Sequence, residues 1–185
     1  MNYLNSILVL MTGFLAVFGE AVFSGPRNLL GAQIDLLPAL MIYAALNTNI
    51  LVVSLLAIFG GLWFDSLSAN PMGITILPLF LVSFPVFIQR DLILREVQFA
   101  QLVLGGVASA IVPLASVLLL LTAGKHPLLG WGSLWQWMVM TAGGAVATPF
   151  FVALFNWCDK ALGYQPRIET SFRPDREILR GRKKM

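Results

Sequence analysis

Long apolar runs separated by short charged or turn-forming clusters make up most of this chain. Residues 1–19 carry no charged side chain, which predicts a first helix over about 4–23 with Glu20 in its last turns. The cluster Ser24-Gly25-Pro26-Arg27 reads as a turn. Five further apolar runs predict helices over about 29–46, 50–64, 72–89, 97–123 and 134–157. Their connections are Asn47-Thr48-Asn49, the stretch 65–71, the charged turn 90–96 and the break Gly124-Lys125-His126-Pro127. From Asp159 onward the chain is polar.

One stretch poses a length problem. No charged side chain lies between Asp35 and Asp65. Residues 36–64 are too many for one membrane crossing and too few for two comfortable ones, at roughly 20 residues each. Counted from Asp35, the second helix has only 11 residues to Leu46, about 16 Å at 1.5 Å per residue. A hydrocarbon core is about 30 Å thick. Either the helix begins near Leu29 and buries Asp35 about a turn and a half deep, or the hairpin is short and thins the bilayer locally.

Composition turns these helices into membrane spans. Of 185 residues, 58% are hydrophobic and 11% charged, against about a quarter charged in soluble domains. The fold class expected is an all-α integral membrane protein of six transmembrane helices, with residues 1–158 as the membrane domain and 159–185 as a basic cytoplasmic tail. The N-terminus lacks the basic residues of a signal peptide, so the first helix is expected to be retained. Six spans put both termini on one side. Placing them inside locates 10 of the 12 Lys/Arg in the cytoplasm and leaves Arg27 and Lys125 outside, so the positive-inside rule selects N-in, C-in. Trp63, Trp131, Trp135 and Trp137 then mark the outer boundary, and Tyr3, Trp157 and Tyr164 the inner one. The tail carries 8 basic and 4 acidic residues, and its run Arg180-Gly181-Arg182-Lys183-Lys184 suits anionic lipid. No folded basic module points to nucleic acid.

Glycine pairs stand in three of the spans: Gly60-Gly61, Gly105-Gly106 and Gly143-Gly144. Small residues recur four positions on, as in Gly105/Ser109 and Gly143/Ala147, a pattern that lets helix backbones approach closely. Such faces serve packing within the bundle or the docking of a partner's helix. Pro38, Pro78, Pro85, Pro113 and Pro149 lie in or near spans, where a bilayer tolerates them as kinks.

Few residues could carry chemistry. One histidine and one cysteine, His126 and Cys158, provide neither a metal-ligand set nor a Ser/His/Asp constellation. No phosphate-binding glycine loop or H-E-x-x-H motif is present. No catalytic residue, cofactor or metal is expected. The acidic residues within or bordering the spans are Glu20, Asp35 and Asp65, all toward the outer side with Arg27. In a structural reading Asp35 caps the second helix ahead of Pro38, Asp65 closes the third, and Glu20 pairs with Arg27. In a functional reading the three carboxylates line an outward cavity for a cationic ligand or a partner.

The hairpin also carries a family likeness. Asp35-Leu36-Leu37-Pro38-Ala39-Leu40-Met41-Ile42-Tyr43-Ala44-Ala45-Leu46, a short polar turn, and then Gly61-Leu62 with Asp65, Ser68, Pro71 and Gly73 resemble the bacterial rod shape-determining protein MreD family. The likeness covers about residues 33–95. The turn Asn47-Thr48-Asn49 is uncharged where that family leads us to expect a basic residue, and the tail is longer than expected. The resemblance implies a non-enzymatic scaffold of the cell-elongation machinery in the bacterial inner membrane. Its partners would be MreC, the synthase RodA with its class B penicillin-binding transpeptidase, and MreB. It also implies a bundle like the substrate-binding S-components of vitamin-uptake energy-coupling-factor transporters, which supply the alternative function. S-components carry an Ala-x-x-x-Ala face on the first span. Here Ala16 is followed four residues later by Glu20. Structural or partner-binding candidates are therefore Glu20, Arg27, Asp35 and Asp65, with Asn70, Pro71 and Gly73 of the motif, and Gly105 and Gly143 of the glycine pairs.

Truncation after Lys160 is expected to leave insertion and topology intact, as protease protection of the shortened protein would show. A flipped topology would make the tail a topogenic element.

Overall fold

The computed structural model describes residues 3–23, 25–68, 70–90, 97–125 and 130–161. They form seven α-helices: α1 (Tyr3–Val22), α2 (Gly25–Leu30), α3 (Leu37–Asn47), α4 (Ile50–Leu67), α5 (Ile76–Gln89), α6 (Gln98–Thr122) and α7 (Trp131–Ala161). No strand occurs among the described residues. Four stretches are long and apolar enough to cross a membrane: Asn5–Val22, Ile50–Leu67, Gln98–Thr122 and Trp131–Cys158. The helices α3 and α5 are apolar but shorter. Residues 91–96 of the charged turn, His126 and Pro127, and the tail from residue 162 with Tyr164 lie outside the described residues, as does the side chain of Tyr3.

At the centre of the bundle is α3. Its sequence has no polar face, and a helix that is hydrophobic all round belongs in an interior. Every residue from Leu37 to Leu46 is buried. It packs against α1, α4, α5, α6 and α7, and Tyr43 stacks on Phe155 of α7 with ring centroids 4.3 Å apart. Enclosure resolves the length problem, because a helix surrounded by protein need not match a bilayer.

The single helix expected over 29–46 is instead two. Gly31 adopts φ +65°, a left-handed conformation that ends α2, and its N–H donates to Arg27 O at 3.0 Å. Residues 33–36 are non-helical, and α3 starts only at Leu37. Asp35 therefore precedes its helix rather than lying a turn and a half inside it. The expected turn around Arg27 is also revised: residues 25–27 open α2, while Ser24 lies outside the described residues. Asp65 sits in the last turn of α4 rather than in the connection. The fourth predicted span begins later than expected, at Ile76, after a turn in which Gly73 has φ +91°.

The glycine pairs are filled from within the chain. A Cβ on Gly105 would collide with the Thr148 side chain and come within 2.6 Å of Gly144 O. One on Gly144 would strike Ser109, and one on Gly143 would lie 2.5 Å from Ile34. Bare backbone thus brings α6 and α7 together, as small residues do where lipid supplies no drive to associate. Gly60 faces Leu37, and Gly61 meets the start of α5 at Ile76 N, 3.1 Å from its would-be Cβ. Two buried hydroxyls return their hydrogens to their own helices, Ser83 to Leu79 O at 2.7 Å and Thr148 to Gly144 O at 3.0 Å. The outer surface is apolar, with Met11, Leu15, Phe59, Leu81, Val107, Leu118 and Phe150 exposed. Trp63, Trp131, Trp135, Trp137 and Trp157 are exposed as well.

Gly105→Ala is expected to destabilise the fold by about 1–3 kcal/mol through overpacking. Gly132→Ala, where a Cβ meets nothing within 4 Å, is expected to be neutral or slightly stabilising. Thermal unfolding of both variants in one detergent measures the contrast.

Candidate functional site

Helix starts leave amide hydrogens without partners, and a helix start buried in a bundle must find acceptors nearby. At the start of α3 two carboxylates provide them. The Leu36 N–H donates to Glu20 Oε1 of α1 at 2.5 Å, and the Leu37 N–H donates to Asp35 Oδ1 at 2.9 Å. Pro38 has no amide hydrogen to satisfy. Leu36, rather than Asp35, occupies the cap position; Asp35 stands one residue before it and accepts the amide of the first helical residue, Leu37. Glu20 does not pair with Arg27. It reaches the backbone sixteen residues on, and Arg27 is exposed.

The other end of α3 carries the opposite charge. Arg90 Nη1 donates to Thr48 O at 2.9 Å, and its guanidinium lies 4.5 Å from the centre of the Phe87 ring. Thr48 folds back on α3 as well, its N–H and hydroxyl both donating to Ala44 O, at 2.8 and 2.6 Å. Carboxylates at the positive end of a helix dipole and a cation at the negative end are both favourable placements.

Asp65 repeats the arrangement at the start of α5. Its Oδ2 accepts the N–H groups of Gly73 at 2.8 Å and Thr75 at 3.1 Å, and its Oδ1 accepts the Thr75 hydroxyl. Asp65 and Thr75 are both buried. The motif residues Asn70, Pro71 and Gly73 form the turn wrapped around this carboxylate: Asn70 N–H donates to Ser68 Oγ at 3.4 Å and Pro71 O accepts from Ile74 N–H at 3.4 Å. Gly73 approaches with a φ that disfavours other residues. Gly143 is remote from this turn and buttresses Ile34 beside Asp35, while Gly105 belongs to the α6–α7 contact.

Sequence reasoning missed the ties that hold residues 30–36 in place. Gln33 and Gln136 of α7 exchange two hydrogen bonds, Gln33 N–H to Oε1 at 3.0 Å and Nε2 to Gln33 O at 2.8 Å. Trp135 Nε1 donates to Leu30 O at 2.9 Å. A lone glutamine in an otherwise apolar run was the available signal at position 136.

Next to these ties, between the end of α1 and the segment leading into α3, is a cavity of about 470 Å³. Glu20 and Arg27 line it, with Gln33 and apolar walls that include Leu15, Phe23, Leu36 and Leu67. Glu20 Oε2 is buried and accepts no hydrogen bond. Among the described residues no three His, Cys, Asp or Glu side chains gather in a metal-binding group. Comparison of the chain with family models, with curated proteins and with solved structures returns no match.

Asp65→Ala removes the acceptor of two amides and a hydroxyl and is expected to cost about 3 kcal/mol. Asp65→Asn, which keeps one acceptor oxygen, is expected to cost less. The order of their unfolding temperatures checks this, and equal temperatures would remove Asp65 from the fold's framework.

Proposed function

We propose that this chain is a non-catalytic scaffold of the bacterial inner membrane, acting in cell elongation as the MreD resemblance implies. In this reading α1, α3, α4, α5, α6 and α7 are the six spans. The Arg90 end is cytoplasmic, together with both termini, and the Asp35–Asp65 end faces outward. The partner is a single-span MreC-like protein, with RodA, its transpeptidase and MreB in the wider assembly, and anionic lipid against the tail. The observation that carries the proposal is the use made of the hairpin on which the resemblance rests. Asp35 accepts one backbone amide, and Asp65 accepts two amides and the Thr75 hydroxyl, so its acidic residues fix helix ends, as befits a protein whose task is to hold a shape. Position, rather than reaction, is then its contribution: a rigid bundle presents lipid-facing helix surfaces to the partner's span.

The cavity favours a second reading, an S-component that binds a vitamin-sized solute, since 470 Å³ falls within the usual range for small-molecule sites. Co-purification separates the two. Mild detergent extraction is expected to recover a single-span MreC-like partner. A preparation with no such partner and a tightly held vitamin-sized molecule would overturn the scaffold reading.

A further inference from the structure

The cavity is lined by a carboxyl group and a guanidinium that do not pair with each other. Glu20 hydrogen-bonds to the Leu36 amide through one oxygen and leaves the other without a partner. Arg27 lines the same cavity without pairing with Glu20. Asp35 holds the adjacent amide of Leu37 and does not line the cavity. A carboxylate buried without a cation is costly, and an ammonium that donates to it recovers much of that cost. Guanidinium groups suit phosphate and carboxylate oxygens. Gln33 adds a polar group, and the other walls are apolar and continue onto exposed Leu15 and Val22 of α1 and Phe23 just after it. An occupant that satisfies all of this carries a primary ammonium, an anionic group a short distance away, and a hydrocarbon part.

We propose that this cavity binds a zwitterionic phosphoethanolamine-type head group, its ammonium toward Glu20 and its phosphate toward Arg27. Membrane lipid is one source of that chemistry and a soluble phosphoethanolamine compound is the other. The proposal goes beyond the scaffold reading and does not depend on a protein partner.

The test uses the full chain, purified in detergent and offered phosphatidylethanolamine, phosphatidylcholine or phosphatidylglycerol, with retained lipid read by native mass spectrometry. Phosphatidylcholine keeps both charges but has no N–H to donate, and phosphatidylglycerol has no ammonium. Phosphatidylethanolamine is expected to be retained about tenfold over either, the scale set by one charge-assisted hydrogen bond. Glu20→Gln, which keeps an acceptor for Leu36 N–H, is expected to abolish the preference, and Arg27→Gln, at an exposed position, to lower retention of all three lipids, since each carries the phosphate. Lys125→Gln is expected to leave both intact. Should Glu20→Gln fail to fold, the loss of retention in Arg27→Gln carries the test. Displacement of the lipid by millimolar phosphoethanolamine would identify a soluble source, and failure to displace it a lipid one; both support the site. Equal retention of the three lipids, a preference that survives Glu20→Gln, or retention unchanged by Arg27→Gln would overturn the proposal whether or not a partner co-purifies.

Discussion

A short buried helix has two charged-like ends and no water to shield them, and the bundle is arranged around that constraint. The eleven residues of α3 are enclosed by five other helices, so its terminal amides and carbonyls must be satisfied by protein. Carboxylates from Glu20 and Asp35 meet one end, and Arg90 meets the other. Each charge has the sign that the helix dipole favours. Because Glu20 belongs to α1 and Arg90 follows α5, the same contacts that satisfy α3 also fix its neighbours along the bundle axis.

A second short helix is held by the same device. Glu20, near the end of α1, takes an amide at the start of α3; Asp65, in the last turn of α4, takes amides leading into α5. In each case a long helix ends in a carboxylate that serves the start of a shorter helix after it. An acidic residue near its own helix's C-terminus is locally unfavourable. The amides it captures elsewhere offset that, which gives each carboxylate a structural use in an otherwise apolar stretch.

Much of this was legible in the sequence, and what escaped did so for identifiable reasons. Charges, prolines and glycines located most helix ends within a few residues, because each acts on its own local backbone. Asp35 ahead of Leu-Leu-Pro announced a helix start in the same way. Hydropathy counted residues 29–46 as one span because it cannot tell an apolar side chain facing lipid from one facing protein. Nor does it register that Gly31 turns the chain. Arg90 reaches Thr48 across 42 residues and Gln136 reaches Gln33 across 103. Neither separation leaves a trace in local composition. Glu20 and Arg27, seven residues apart, looked like an ion pair, yet the Leu36 amide took the carboxylate.

The unequal heights of the helices have a mechanical consequence. At 1.5 Å per residue, the 18 residues of α4 span about 27 Å and the 31 residues of α7 about 46 Å. Set in a hydrocarbon core of about 30 Å, one flank would match the bilayer and the other would overshoot it. The α6–α7 pair, locked together at Gly105 and Gly144, must therefore lean as a unit or carry its ends beyond the lipid. A lean would take up the excess length on that flank alone, so the tilt of the bundle in such a bilayer would follow from its shape.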